Sequence, residues 1–191
     1  MEIALSVLVG IGLSAACGFR VFVPLLVMSI ASLSGHLSLA ESFHWIGSWP
    51  ALVAFALATA VEIAGYYVPW VDNLLDTIAL PAAIVAGAVV TASTITGMSP
   101  FLRYTLAIIA GGGAAAAVKG LSAVVRAGSS VATGGIANPV VSTAEALGSV
   151  ALSVLAVLLP ILAALLAVAI VAYAGKRLVG LLRRRKKPSA A

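Results

Sequence analysis

The chain has 191 residues, of which 62% are hydrophobic and only 9% are charged, and its mean hydropathy is +1.18. Soluble domains typically carry about 25% charged residues, so this composition excludes an ordinary soluble protein and indicates an integral membrane protein. The net charge of +5 does not indicate a nucleic-acid partner, because seven of the eleven basic residues lie between Lys176 and Lys187. We predict an all-α integral membrane fold of about six transmembrane or partly re-entrant helices, each of about 20 residues.

The position of the basic segment predicts the domain organisation. We expect one transmembrane domain over residues 1–175 and a basic cytoplasmic tail over residues 176–191. Basic residues close to the end of a membrane span stay in the cytoplasm. With six crossings, both termini are then expected in the cytoplasm, and the bends that carry charged motifs are expected on the other side.

The first apolar stretch, residues 3–33, is too long for one straight span. A single helix of that length would rise about 46 Å, whereas the hydrocarbon core is about 30 Å thick. Pro24 clashes in a helix with the carbonyl group four residues earlier, which belongs to Arg20. The pattern predicts two shortened helices, residues 3–17 and 21–34, with Arg20 at the bend.

Acidic residues recur through the middle of the chain. Glu62 lies inside a third predicted span, residues 51–68. Asp72 and Asp76 follow four residues apart, so they share one face of a helix, and a fourth span is predicted over residues 78–95. Carboxylate oxygens suit a hard cation such as magnesium or calcium, which makes Asp72 and Asp76 candidate metal ligands.

The fifth predicted span begins near residue 101 and carries both small and basic residues. Gly111, Gly112 and Gly113 form a small-residue stripe that allows close helix contact, so we expect this stripe to support a homo-oligomer. Lys119 and Arg126 lie seven residues apart and therefore share one helical face.

The last part of the chain again combines a helix break with a charge. Asn138 followed by Pro139 predicts a helix start with Asn138 as the N-cap, and Glu145 lies two turns later. A final span is predicted over residues 149–174, bent at Pro160. The segments GFRVFVP and GGIANPVV both place Gly and Pro at the edge of an apolar run, a pattern typical of an inverted repeat with broken helices.

The polar and charged residues within and beside the apolar segments form the candidate site. An ionisable side chain at the centre of a bilayer costs at least about 2.5 kcal/mol, so it is normally paired or faces a wet cavity. The predicted cleft for a small ion or polar solute is lined by Arg20, Glu62, Asp72, Asp76, Lys119, Arg126, Asn138 and Glu145. We expect the two glutamates to pair with the basic residues across this cleft, because an unpaired buried charge is costly.

Sequence motifs for catalysis are absent. The sequence contains neither H-E-x-x-H nor G-x-S-x-G, and GGGAAAAVKG lacks the GK[ST] ending of a phosphate-binding loop. We predict no catalytic residue and no cofactor, so enzymatic activity has no positive support. The expected partners are the lipid bilayer and a small ion or polar solute, with no nucleic acid.

Four features in a fixed order are more specific together than any one of them alone. They are GFRVFVPLL, VEIAGYYVPWVDNLLD, the pair Lys119 and Arg126, and TGGIANPVVSTAE. In these features the chain resembles a family of small bacterial inner-membrane proteins, family 4126 of the domains of unknown function. The resemblance implies a multi-pass protein of the bacterial cytoplasmic membrane, and it supplies no substrate or reaction.

Three functions from different classes fit these observations. The first, which we expect, is a transporter or channel for a small ion or polar solute, because broken helices and intramembrane charge are typical of transporters. The second is a lipid-handling protein whose basic residues hold a lipid phosphate. The third is a non-catalytic membrane scaffold or assembly factor. A charged cavity open to water favours transport, one open to lipid favours lipid handling, and a solid, fully paired interior favours a scaffold.

Overall fold

The predicted all-α membrane fold is confirmed by the computed structural model. It describes residues 2–185, and within them the side chains other than those of residues 69, 73, 174 and 177–185. The described residues form helices and their connections. In chain order the elements are α1 (Glu2–Cys17), α2 (Phe22–Leu33), a 3-10 helix (Glu41–Gly47), α3 (Trp49–Gly65), α4 (Pro69–Thr94), α5 (Pro100–Leu106), a π-helical segment (Ala107–Gly112), α6 (Gly113–Thr133), α7 (Asn138–Leu158) and α8 (Pro160–Arg185).

Proline marks the start of most of the longer helices. It is the first residue of α4, α5 and α8 and the second residue of α3 and α7. Proline lacks an amide hydrogen and has a helix-like φ, so the first turn is where a helix accepts it without losing a hydrogen bond. These prolines divide a nearly continuous apolar sequence into separate helices.

Three helical segments are long and apolar enough to cross a membrane: Trp70–Thr94, Pro100–Thr133 and Asn138–Leu158. The 3-10 helix and α3 form a fourth if they are counted as one span broken by a 64° bend. The other apolar helices, which are α1, α2 and Pro160–Tyr173 of α8, are shorter. By length and composition the described chain therefore has three or four spans, fewer than the six predicted.

The predicted break in the first apolar stretch is confirmed within about one residue. Helix α1 ends at Cys17 and α2 begins at Phe22, so the chain reverses around Gly18 and Arg20. Gly18 is needed at this point because a Cβ there would lie only 2.6 Å from the carbonyl oxygen of Ala115 on α6. The break therefore places Arg20 against the part of the bundle that contains α6.

A row of hydroxyl groups, which we call the hydroxyl seam, joins α1 to α4 in the middle of the bundle. It consists of Ser14, Thr91 and Thr94. The Ser14 Oγ donates to the carbonyl oxygen of Gly87 at 2.6 Å and lies 2.7 Å from the Thr91 Oγ1, and Thr94 donates to the Thr91 carbonyl oxygen at 3.1 Å. Each hydroxyl of the seam is buried and hydrogen-bonded.

The glycine stripe lies beside the seam, and two of its three members pack inside the chain. A Cβ at Gly111 would lie 2.6 Å from the carbonyl oxygen of Gly87, and one at Gly112 would lie 3.3 Å from the Ile84 side chain. A Cβ at Gly113 would meet open space. Gly111 and Gly112 thus bring the continuous helical segment Pro100–Thr133, which we call the long helix, against α4. A homo-oligomer through the stripe stays a prediction.

The final predicted span, residues 149–174 with a bend, is wrong because the chain reverses at Leu159. A Cβ at Gly12 would lie 2.9 Å from the Cβ of Ala156 and 3.1 Å from that of Ala163. The two alanines are therefore no more than about 6 Å apart, whereas residues seven apart in one helix are separated by about 10.5 Å. Helix α8 then packs against α1 and α6, so it runs back along the bundle.

The reversal at Leu159 determines toward which end of the bundle helix α8 runs. Helix α1 runs from Gly12 to its end at Cys17, and α8, which passes Gly12 at Ala163, continues toward the same end of the bundle. Helix α8 also continues across the predicted domain boundary at residue 175, and residues 186–191 of the predicted tail lie outside the described part. Helix α8 therefore runs toward the end of the bundle at which α1 ends and α7 begins.

Candidate functional site

Six charged side chains meet at the end of the bundle where α1 ends and α7 begins. We call this network the ionic cluster, and its members are Arg20, Asp72, Asp76, Lys119, Arg126 and Glu145. They come from the break after α1, the first two turns of α4, the second half of the long helix, and α7. All six belong to the predicted cleft. Asp72 and Asp76 were expected to share one helical face, and so were Lys119 and Arg126. These two faces bring four of the six side chains together.

Arg126 is the centre of the ionic cluster. Its Nε lies 3.0 and 3.2 Å from the two carboxylate oxygens of Glu145, and its Nη2 lies 2.6 Å from Glu145 Oε2. Its Nη1 donates to Asp72 Oδ1 at 2.7 Å. The planar guanidinium group thus holds two carboxylates in fixed directions, which a lysine could not do. All three of these side chains are buried.

Glu145 also receives partners from two other elements. Arg20 Nη2 lies 3.3 Å from Glu145 Oε2 and donates to both the carbonyl oxygen, at 2.8 Å, and the hydroxyl of Ser142. The Ser122 hydroxyl donates to Glu145 Oε1. The sequence analysis missed both serines. Their signal was spacing, since Ser142 precedes Glu145 by three residues and Ser122 precedes Arg126 by four, which puts each pair on one helical face.

Lys119 and Asp76 form the more open side of the ionic cluster. Lys119 Nζ lies 3.6 Å from Asp76 Oδ1, and Arg126 Nη1 lies 3.8 Å from Asp76 Oδ2. The Asp76 side chain is 36% exposed, whereas the other members are nearly enclosed. Both candidate metal ligands, Asp72 and Asp76, therefore face cations. Among the described residues no group of three His, Cys, Asp or Glu side chains could hold a metal ion.

Glu62 has different partners from those predicted. Its two carboxylate oxygens accept the backbone N–H groups of Val21 at 2.8 Å and Phe22 at 3.0 Å. These are free donors at the start of α2, where the helix dipole also favours a negative charge. The prediction that Glu62 pairs with a basic residue is therefore wrong, because the break after α1 supplies backbone donors. Glu62 joins the end of α3 to the start of α2.

Tyr66 is an aromatic member of the site that the sequence analysis missed. Its ring centroid lies 3.8 Å from the Cζ of Arg20, 4.6 Å from that of Arg126 and 5.7 Å from Lys119 Nζ. Burial raises the pKa of Tyr66 to about 12, so the ring stays neutral at physiological pH. Its only signal in the sequence was its position, in the short connection that ends at Pro69 between two acidic segments.

Two cavities reach the ionic cluster. The larger, of about 600 Å³, lies at the end of the bundle and includes Tyr66, Tyr67 and Asp72 in its wall. The smaller, of about 260 Å³, lies between α4 and α6 and includes Asp76 and Lys119. Asp72, Ser130 and Asn138 belong to the walls of both. The cavities therefore meet beside the buried carboxylate of Asp72.

Asn138 lies at the rim of these cavities. Its Nδ2 donates to Ser130 Oγ at 3.1 Å, across a turn that contains Gly134 and Gly135 at φ values of 63° and 90°. The residue before α7 is Ala137, and no side chain caps that helix. The predicted N-cap role of Asn138 is wrong because its side chain is engaged in closing the turn.

Several ion-pair contacts of the ionic cluster share one atom, so its members compete for the same partners. The six members carry three positive and three negative charges. In a low-dielectric interior each such contact is strong and each unpaired group is costly. A charged ligand that enters either cavity would compete directly for these contacts.

Comparison with known proteins gives one result. The sequence matches a family described as "Domain of unknown function (DUF4126)" over residues 7–178. No protein of curated function and no solved structure matches the chain.

Proposed function

The chain belongs to the DUF4126 family, whose function is unknown, and we propose from its geometry that it is a transporter or channel for a small ion or polar solute. The observation that carries the proposal is the meeting of two cavities beside Asp72, inside a network of buried charges. Ion pairs that only hold two helices together need no cavity beside them.

Buried charges in a membrane protein normally line the route of a polar solute. Here Asp72 contributes to both cavity walls and is bonded to Arg126. Asp76 is the most exposed acid of the ionic cluster. A solute passing from the smaller cavity to the larger would therefore meet first the accessible carboxylate of Asp76 and then the buried carboxylate of Asp72. Each carboxylate has a basic partner that can rearrange around the solute.

Handling of a lipid phosphate is the second candidate, and the position of the smaller cavity favours it. That cavity lies between α4 and α6, and its wall includes the exposed residues Leu80, Ala123 and Ala127. On a membrane-embedded bundle this opening faces sideways, toward lipid. A headgroup could reach Lys119 through it without leaving the bilayer.

We place the protein in the bacterial cytoplasmic membrane with the ionic cluster at the cytoplasmic face. Helix α8, whose described part carries the basic residues from Lys176 to Arg185, runs toward the end of the bundle that holds the cluster, whereas Arg103 lies at the start of α5 at the other end. Basic residues that flank spans stay in the cytoplasm. This replaces the six-crossing expectation, which treated α7 and α8 as one span, and it puts the start of α1 on the outer side.

Single-cysteine labelling tests this orientation. In a Cys17→Ala background, we expect an Ile136→Cys variant to react with a membrane-impermeant maleimide in inside-out vesicles and a Ser99→Cys variant to react in intact cells. Both positions are exposed and lie at opposite ends of the long helix. The reverse labelling pattern would contradict the orientation.

Flux into liposomes tests the proposed function. The full chain is reconstituted and assayed with a panel of inorganic ions and small phosphorylated solutes, with and without a pH gradient. We expect at least one solute to move faster than in empty liposomes, and we expect that flux to fall about tenfold or more in Asp72→Asn, because a charge-assisted hydrogen bond is lost. Glu41→Gln changes an exposed acid at the opposite end and serves as the control.

The flux experiment has a clear negative result. If folded protein moves no solute of the panel, the transport proposal fails. A loss of flux in Glu41→Gln equal to that in Asp72→Asn would also contradict it, because the effect would then not depend on the ionic cluster.

A further inference from the structure

Arg20 is a fully buried cation with unused hydrogen-bond donors. Its side chain is 1% exposed, and its Nη2 accounts for all of its hydrogen bonds and ion-pair contacts, with Ser142 and Glu145. Among the described residues, its Nε and Nη1 have no hydrogen-bond partner. Buried donors on a charged group are rarely left unpaired, because the loss of water is then not compensated.

A second cation beside Arg20 also has donors to spare. The ammonium group of Lys119 makes no hydrogen bond within the described part of the chain, and its contacts are Asp76 at 3.6 Å and the Tyr66 ring at 5.7 Å. Arg126 is different, because its Nε, Nη1 and Nη2 all bond to carboxylates. The unused donors therefore belong to Arg20 and Lys119, which both lie near the Tyr66 ring.

Arg20 and Lys119 are close enough to hold one group between them. The Cζ of Arg20 and the Nζ of Lys119 lie 3.8 and 5.7 Å from the same ring centroid, so they are no more than about 9.5 Å apart. An oxyanion with a hydrogen bond of about 2.8 Å on each side spans about 8 Å between donor atoms. The guanidinium nitrogens extend about 1.3 Å beyond Cζ, which covers the remaining distance.

The Tyr66 ring separates these donors from the larger cavity. It contacts Arg20 on one side and belongs to the cavity wall. Its hydroxyl makes no hydrogen bond within the described residues, and three cations lie within 5.7 Å of the ring centroid. It also lies in the connection after α3, which ends at Gly65. A side chain in this position can turn aside without breaking a helix.

Resting on the transport function proposed above, we propose that Arg20 and Lys119 bind the oxyanion group of the solute, a carboxylate or a phosphate, which reaches them by displacing the Tyr66 ring. The incoming group takes the place of Asp76 at Lys119. Asp76 is the acid best able to leave, because its side chain is the most exposed of the ionic cluster. The negative charge of the oxyanion then replaces that of Asp76 beside Lys119. The Nε and Nη1 donors of Arg20 gain acceptors at the same time.

Binding to the purified full chain tests this assignment. The protein is placed in nanodiscs of phosphatidylcholine and titrated calorimetrically with inorganic phosphate and with acetate. We expect saturable binding of at least one of them. Affinity should fall about tenfold or more in Arg20→Gln and in Lys119→Gln, because each loses charge-assisted hydrogen bonds.

The chain offers a matched control and a test of the ring. Arg103 also lies against a tyrosine, with its Cζ 5.0 Å from the Tyr104 ring, but at the exposed opposite end, so Arg103→Gln should bind as the parent does. Tyr66→Phe keeps the ring and should therefore associate more slowly than a variant without it. Tyr66→Ala removes the ring that lies between the Arg20 donors and the larger cavity. It should raise the rate constant for association of the oxyanion, measured by stopped-flow.

A lipid source of the same group is distinguished by a second nanodisc composition. If the oxyanion belongs to a lipid headgroup, nanodiscs that contain phosphatidylglycerol should raise the thermal unfolding temperature of the parent and not that of Lys119→Gln, while free phosphate and acetate do not bind. Either source supports the proposal. Absence of an effect in both arms, or binding by Arg20→Gln and Lys119→Gln as tight as that of the parent, overturns it.

The two proposals fail independently. Flux of a cation without any binding of phosphate, acetate or anionic lipid would leave transport standing and remove the oxyanion site. Oxyanion binding that depends on Arg20, without flux of any solute, would support the site and remove transport. If Arg20→Gln does not fold, the comparison of Lys119→Gln with Arg103→Gln still decides the question.

Discussion

The hydroxyl seam and the ionic cluster are both polar regions inside an apolar chain, and they differ in how completely their polar groups are paired. In the seam, the Ser14 hydroxyl has two partners within 2.7 Å. In the ionic cluster, within the described residues, two nitrogens of Arg20 and one oxygen of Asp76 make no hydrogen bond, and two cavities lie beside them. Neutral, fully paired groups suit permanent packing. Charged groups with unused donors suit a site that exchanges partners.

The two regions also differ in the space around them. At the seam, Gly87 and Gly111 bring two helix backbones so close that a Cβ would not fit. At the ionic cluster, cavities of about 600 and 260 Å³ lie beside the charged side chains. Small residues near the middle of the bundle therefore fix the helices, and this fixed frame holds the charged side chains in place at the end.

The largest effect on stability is expected from removing the acid that Arg126 and Arg20 share. Glu145→Gln leaves Arg20 without a charged partner and leaves Arg126 with only Asp72 and Asp76, and breaking a buried ion pair in this way costs about 3 to 5 kcal/mol. Chemical unfolding in detergent micelles measures the change, with the exposed Glu41→Gln as control. A loss below about 1 kcal/mol would contradict the pairing.

The double variant sharpens that prediction. Glu145→Gln combined with Arg126→Gln removes both members of the main pair, so the double variant should lose less stability than the sum of the two single losses. Coupling between residues in contact is typically about 0.5 to 3 kcal/mol. Strictly additive losses in the same unfolding assay would mean that the two side chains act separately.

An intermediate effect is expected at the glycines beside the seam. Gly111→Ala should lower the free energy of unfolding by about 1 to 3 kcal/mol, because the added methyl group meets the backbone of α4. Gly113→Ala is the matched control, since its Cβ would meet open space. Equal stability of the two variants would show that the helices do not pack as closely as described.

Glu62 provides a comparison between two kinds of buried acid. Because its carboxylate bonds to backbone N–H groups at the start of α2, Glu62→Gln keeps one acceptor and should cost about 1 kcal/mol, as for the loss of a helix cap. The same unfolding assay ranks it against Glu145→Gln. A loss as large as that of Glu145→Gln would indicate that Glu62 has a charged partner after all.

The smallest effect is expected within the seam itself. Ser14→Ala removes one neutral hydroxyl, and interhelical hydrogen bonds of this kind in membranes contribute about 0.6 kcal/mol on average. The Gly87 carbonyl lies within helix α4, where it remains an acceptor for that helix. If Ser14→Ala lowered stability more than Glu145→Gln, the contrast between the two regions would be reversed.

Much of the fold could be predicted because the breaks have local causes. The reversal around Arg20 follows from Gly18 and Pro24, and the starts of several helices follow from proline. The reversal at Leu159 was missed, because the hydropathy on both sides of Pro160 is the same for a bent span and for two antiparallel helices. Only the packing of α8 against α1 and α6 distinguishes them.

The site was predictable where charges share a helical face. Asp72 with Asp76, and Lys119 with Arg126, were grouped by spacing alone, and the cost of an unpaired charge predicted that Glu145 meets a basic residue. Glu62 was assigned the wrong partners because backbone donors at a helix break are not visible in the pattern of side chains. Tyr66 was missed because its role depends on three cations from two separate segments, the break after α1 and helix α6.

One flux measurement tests most directly whether the ionic cluster, and not the seam, is the functional region. Lys119→Gln and Ser14→Ala each change one side chain, and both are compared with the parent in liposomes at equal amounts of folded protein. We predict that Lys119→Gln loses most of the solute flux while Ser14→Ala keeps it. Flux that is retained in Lys119→Gln, or abolished in Ser14→Ala, would contradict the account.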